Sequence, residues 1–130
     1  MTAKKSQVTT EFLQAFADAW NEHDVDKLMT FMTDEPVYIA SAGPDVDGAR
    51  FSGATAVRDA FAQVFEIFPD AQWDEGRHFV SGDRGVSEWK FRGTLADGKK
   101  VEVEGCDIFT FDGDRIAVKN AYRKQRPPSG

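Results

Sequence analysis

The sequence predicts an α+β fold, with three helices in the first half of the chain packed on one face of an antiparallel sheet. Two observations lead there. Apolar residues recur at helical spacing in the segments before Phe68, then at every second position from Ala71 onward. The order of elements is helix, helix, strand, helix, then four strands. That order gathers helices on a meander instead of alternating them with parallel strands.

Phe12, Phe16 and Trp20 recur every four residues between Val8 and Asn21, with Leu13 beside them. They form one stripe of an amphipathic helix. "NEHD" ends it, and Asp24 is placed to cap a second helix carrying Val25, Leu28, Met29 and Met32. "PVYIASA" reads as a short strand and "GPDVDG" as a loop. A third helix follows Ser52-Gly53 with the stripe Val57, Phe61, Val64, Phe65 and Phe68, and Pro69 stops it. The last four strands read as "AQWDEGRHFV", "RGVSEWKFRGTL", "KKVEVEGCDIFTF" and "RIAVKNAYRK", with "SGD", "ADG" and "DGD" as the turns.

A chain of 130 residues with no repeat and no interior linker suits one domain with one core. Residues 8–126 are expected to form it. Residues 1–7 and 127–130 are expected to be flexible. Eleven Phe and three Trp supply bulk to line a pocket as well as fill a core. A net charge of -6 argues against a nucleic-acid binder, which needs a basic face for phosphates. The single cysteine, Cys106, excludes an internal disulfide and fits a reducing compartment. No apolar run is long enough to span a bilayer, and the start of the chain has no apolar signal core. The expectation is a cytoplasmic protein without membrane contact.

Asp107 is the residue that departs from its surroundings. In "VEVEGCDIFTFDGD" it shares a strand face with Val101, Val103, Phe109 and Phe111. A carboxylate there is costly unless it is paired or used. One reading places it in water at a bulge or sheet edge. The other makes it a buried acid whose raised pKa lets it donate a proton or hydrogen bond. Its neighbours depend on the last hairpin. A two-residue Asp112-Gly113 turn sets Ile116, Val118, Asn120 and Tyr122 on its face. A three-residue loop sets Ala117, Lys119, Ala121 and Arg123 there instead, because one residue of register swaps every side chain. In the second case Lys119 holds the carboxylate ionised and the acid role weakens.

Tyr38 reads either as a core aromatic with its hydroxyl in water or as a group orienting a substrate oxygen. His78 reads either as a solvent-facing strand residue or as a base near neutral pH. Phe16, Trp20, Phe61, Trp89, Phe91 and Phe109 serve the core singly and supply aromatic pocket wall together. Trp20 and Trp89 are expected to be largely buried. No metal spacing surrounds Cys106, and neither a nucleophile-elbow motif nor a phosphate-binding glycine loop is present. No cofactor is expected.

Three stretches resemble the NTF2-like superfamily in its SnoaL-like and ketosteroid-isomerase-like branch. They are "FADAWNEHDVDKLMTFMTDEPVY", "FSGATAVRDAFAQVFEIFPD" and "GCDIFTFDGDRIAVKNAYRK". The resemblance runs roughly from Phe12 to Arg126. It implies a strongly curved sheet wrapped round helices as a cone, and homodimers formed through the outer sheet face. Asp107 falls where ketosteroid isomerases place the acid that donates to the oxyanion. Their general base falls at Ala40 and their oxyanion tyrosine at Phe16. The last-strand acid of polyketide cyclases and limonene-epoxide hydrolases falls at Ala121. Tyr38 matches the water-positioning tyrosine of those hydrolases. The resemblance also favours the hairpin register that faces Lys119 inward.

Two functions stand. The first is a small-molecule enzyme using Asp107, assisted by Tyr38, for isomerisation, cyclisation or hydration of a hydrophobic substrate. Phe16, Trp20, Phe61, His78, Trp89, Phe91, Phe109 and Lys119 would then line the site. The second is a non-catalytic ligand-binding or dimerisation module, which the missing partners at Ala40, Phe16 and Ala121 favour.

Overall fold

The structure, a computed structural model, describes residues 8–130; the flexibility expected of residues 1–7 lies outside the described residues. The chain runs α1 (Thr10–Asn21), α2 (Val25–Thr30), β1 (Met32–Asp45), β2 (Gly48–Ser52), α3 (Ala54–Ile67), β3 (Gln72–Ser81), β4 (Arg84–Thr94), β5 (Lys100–Asp112) and β6 (Arg115–Arg123). The six strands make one curved, unclosed sheet in the order β2-β1-β6-β5-β4-β3. No helix among them is long and apolar enough to cross a membrane.

The helix ends follow their capping residues. Thr9 accepts from the Phe12 N–H and Asp24 from the Lys27 N–H, each satisfying a donor that the first turn leaves free. The predicted apolar stripes face inward. Leu13, Phe16 and Trp20 of α1 and Val57 and Phe61 of α3 are buried against Phe109 and Ile116 of the sheet. Each such side chain contributes roughly 1.5–3 kcal/mol on burial. A second cluster, Phe68, Ala71, Phe91 and Val103, closes the other end.

Two features differ from expectation. The "GPDVDG" loop is the end of β1, a turn and the start of β2, so an extra strand precedes α3. That strand has five residues, too few to show a period against its glycine and arginine. The sheet is not wholly antiparallel, because β1 runs parallel to β6. Their register breaks between Met32 and Val37, around the buried Pro36, where a proline can sit without interrupting a ladder. At the C-terminus, Ser129 bridges back to Lys100 at the start of β5.

The last hairpin combines the two registers. Asp112 pairs with Arg115 across a Gly113-Asp114 turn, and Ile116 faces Phe111 inward. An extra residue, Ala117, then bulges from β6, so that Val118 pairs with Thr110 and Lys119 with Phe109. The bulge moves Lys119, Ala121 and Arg123 to the face that carries Asp107.

Candidate acid–base site

Lys119 and Asp107 form an ion pair inside the cone. The Lys119 ammonium lies 2.9 Å from Asp107 Oδ1, and the two side chains are only 7% and 9% exposed. The Trp89 indole N–H donates to Asp107 Oδ2 at 3.0 Å. The ammonium also stands over the rings of Trp20 and Tyr38, 5.0 Å from each centroid, and over Phe61 at 5.9 Å. Their π-faces attract the cation and help offset its loss of water. A neutral acid at Asp107 was conditional on Lys119 lying elsewhere. The bulge brings Lys119 in, and the lone buried acid is replaced by a charged pair.

A cavity of about 20 Å³ adjoins the pair, lined in part by Phe16, Trp20, Ser87, Trp89, Asp107 and Lys119. That is room for about one water molecule. The Trp20 indole N–H, which shares this lining, is buried with no hydrogen-bond partner among the described residues. A larger concavity lies elsewhere. It is an open groove of about 630 Å³ lined largely by charged side chains including Glu88, Lys90, Glu104 and Lys124. Its openness and charge suit it poorly to an apolar ligand.

Five of the expected residues therefore line the small cavity with Asp107: Phe16, Trp20, Trp89, Phe109 and Lys119. Tyr38 and Phe61 stand behind Lys119 and offer it their rings. Phe91 belongs to the second cluster, beneath the Arg123 guanidinium at 4.8 Å. Trp89 is mostly covered, as expected, though less fully than Trp20, which is 5% exposed. The inner edge of Trp89 packs over Gly105, where a Cβ would come within 2.5 Å of the indole.

His78 is neither free in solvent nor in the cavity. Its Nδ1 lies 2.7 Å from Ser87 Oγ and its Nε2 2.9 Å from Gln14 Oε1. Burial holds its pKa below the usual 6.5, with Asp18 pulling in the opposite direction. Strand parity sets Ser87 on the inward face of β4 with Trp89 and Phe91, but the sequence carried no sign of its bond to His78, and it was not among the expected site residues. Burial pushes the Cys106 thiol up, helped by Asp107 and Glu88, which makes it a poor nucleophile. No group of three or more His, Cys, Asp or Glu able to hold a metal occurs among the described residues.

The profile of the SnoaL-like domain matches residues 13–119. The chain belongs to the SnoaL-like domain family. No curated protein matches it significantly. Among solved structures, an NTF2-like protein of unknown function from Mesorhizobium loti is 28% identical. That match covers 89% of this chain and 90% of the other, with a TM-score of 0.72. A hypothetical protein with a ketosteroid-isomerase-like fold from Catenulispora acidiphila, solved with trimethylamine, is 20% identical. It covers 88% and 85% of the two chains with a TM-score of 0.76. An epoxide hydrolase/cyclase-like enzyme of pyran ring formation in the polyether salinomycin is 17% identical, covering 89% and 90% with a TM-score of 0.76. At such identities the last two show the shared fold.

Proposed function

We infer that this SnoaL-like domain is a small-molecule enzyme that performs acid–base chemistry, an isomerisation, cyclisation or hydration, on a hydrophobic substrate. The observation that carries the reading is the Lys119–Asp107 pair buried among aromatic rings. Such a pair is a weak source of stability, since apolar side chains of similar volume do as well or better. Its position next to a cavity is better accounted for by use. Lys119 would stabilise an enolate or alkoxide oxygen and Asp107 would accept a proton or position a hydroxyl. The reaction of the salinomycin enzyme, which shares the fold, is of this general kind. A substrate larger than water requires the aromatic wall to part. Trp73 and Trp89, which solvent reaches, are the rings placed to do so.

The small size of the cavity favours a second reading, a non-catalytic ligand-binding or dimerisation module. We assign the outer sheet face to a homodimer contact in either case, because Ile108, Val118, Phe79 and Tyr122 present apolar surface there. The single cysteine agrees with a reducing, cytoplasmic setting.

Proton exchange separates the two readings. With 2-cyclohexenone in D2O, NMR should show the wild type accelerating loss of the hydrogens α and γ to the carbonyl. The Lys119→Met/Asp107→Leu double variant should not. Equal rates for wild type, double variant and buffer would reject the enzyme.

A further inference from the structure

Four side chains form a hydrogen-bonded line from the protein surface to the cavity. Asp18 and Gln14 lie one turn apart on the exposed face of α1, and the Gln14 amide nitrogen donates to Asp18 Oδ1 at 2.9 Å. A carboxylate only accepts, so this bond fixes which way the Gln14 amide points. Its oxygen is then the atom that faces His78 Nε2 at 2.9 Å, and an amide oxygen also only accepts. His78 Nε2 must therefore carry the proton. In the neutral ring this leaves Nδ1 as a lone-pair acceptor, 2.7 Å from the Ser87 hydroxyl. Ser87 is 4% exposed and lines the cavity beside Asp107, its direct partner across β4 and β5.

The backbone makes room for this line. The register of β3 breaks between Asp74 and Arg77, and the break holds Glu75 and Gly76. A Cβ at Gly76 would come within 3.2 Å of His78 Nε2 and 3.6 Å of Gln14 Oε1. Any larger residue would crowd the bond that sets the tautomer.

We propose that Ser87 and His78 are the proton-transfer dyad of this site, with Gln14 and Asp18 setting the His78 tautomer. The proposal rests on the acid–base reading above. It narrows that reading, since the position of the ketosteroid-isomerase base is Ala40 and the Asp107 carboxylate, already engaged by Lys119 and Trp89, is left to position groups while the dyad takes the proton. In the forward step a substrate C–H bond next to a carbonyl breaks and its proton passes to Ser87 Oγ. The Ser87 proton moves at the same time to His78 Nδ1. The bonding electrons stay on the substrate as an enolate, whose oxygen the Lys119 ammonium faces. Returning the proton by the same route to a different carbon completes an isomerisation with no net oxidation. Ser87 is then the catalytic residue that touches substrate, and His78 is the base that acts through it.

The charged groups around the imidazole are few. Asp18 faces it from α1, and the Lys119–Asp107 pair lies beyond Ser87 on β5 and β6. Burial keeps the ring neutral at pH 7 and hence competent to accept. The 2-cyclohexenone exchange assay tests the dyad. Wild-type exchange should rise with pH through a pKa below about 6.5 and then level off. Ser87→Ala and His78→Gln should each lose about 100-fold or more. His78→Gln should also lose the pH dependence while Ser87→Thr, which keeps the hydroxyl, retains it. Nitrogen-15 NMR of the wild-type imidazole, which needs no variant, should show the Nε2–H tautomer. An Nδ1–H tautomer overturns the dyad whatever the rates. So do Ser87→Ala and His78→Gln proteins exchanging as fast as an active wild type, which leaves the enzyme reading standing. A wild type no faster than buffer overturns both.

Discussion

Replacing Lys119 by methionine is expected to destabilise the domain by about 3–5 kcal/mol, because it leaves a buried carboxylate without its cation. Methionine follows the same unbranched path, so the change removes charge more than volume. Asp107 would keep one donor, the Trp89 N–H at 3.0 Å, with its other oxygen facing the sulfur. The reverse change, Asp107→Leu, strands an ammonium instead. That ammonium retains the faces of Trp20, Tyr38 and Phe61. With contacts of this kind worth roughly 0.5–2 kcal/mol, the loss should be smaller, about 2–3 kcal/mol. The double variant removes both charges and should fall within about 1 kcal/mol of wild type, or above it. The single losses should thus fail to add, the signature of direct coupling. Urea unfolding followed by tryptophan fluorescence measures all four proteins. In thermal melts a domain of this length loses about 4 °C per kcal/mol, so Lys119→Met should melt roughly 12–20 °C lower. A Lys119→Met protein as stable as wild type, or a double variant whose loss is the sum of the singles, would refute a coupled buried pair.

Other outcomes follow from the same geometry. Gly105→Ala should cost about 1–3 kcal/mol by overpacking, since the new methyl meets the Trp89 ring. A blue- or red-shifted Trp89 emission would report the displaced indole, and an unchanged spectrum with unchanged stability would contradict it. His78 has a lower pKa folded than its ordinary 6.5, so below that pH the unfolded chain binds more protons. Its contribution is present above about pH 6.5 and is lost as pH falls toward the folded value. His78→Gln should flatten that slope in unfolding free energies measured between about pH 8 and pH 5. Light scattering at micromolar concentration should give twice the 14.5 kDa of one chain, and a mass of one chain would remove the outer-face dimer.

The helices and the meander were legible because their periods are long and unbroken. Phe12, Phe16 and Trp20 recur over a full helix, and four strands alternate from Ala71 onward. The hairpin of β1 and β2 was not, because β2 has five residues and no alternation to read. The site was half legible. Asp107 declared itself by its strand face, which needs no partner strand to establish. Its partner could not be read, because the choice between Lys119 and Asn120 turns on one bulged residue. Ala117 carries no side-chain signal for a bulge, and the apolar pattern at Ile116 pointed to the opposite register. The contacts of His78 were illegible for a related reason. They depend on the break at Glu75 and Gly76, and on a helix 64 residues earlier in the chain.

Both polar groups of the site thus depend on irregularities in otherwise regular strands. Without the extra residue at Ala117, Ile116 facing inward would carry Val118 and Asn120 inward as well, and Asp107 would meet no cation. Without the break in β3, Trp73 facing Phe91 would carry Glu75 and Arg77 to the inner face, and His78 would turn outward. Each break lets one strand supply apolar side chains to the core at one end and, at the other, a polar side chain to a residue that lines the cavity. A bulge leaves backbone groups unpaired and locally weakens the ladder, a cost that apolar packing alone gives no reason to bear. The two breaks lie on different strands, yet they deliver Lys119 beside Asp107 and His78 beside Ser87, and those two acceptors of help are themselves opposite each other on β5 and β4. That convergence on a single cross-strand pair is the arrangement that the proposed proton-transfer site requires, and the Ser87 and His78 variants test whether it serves that end.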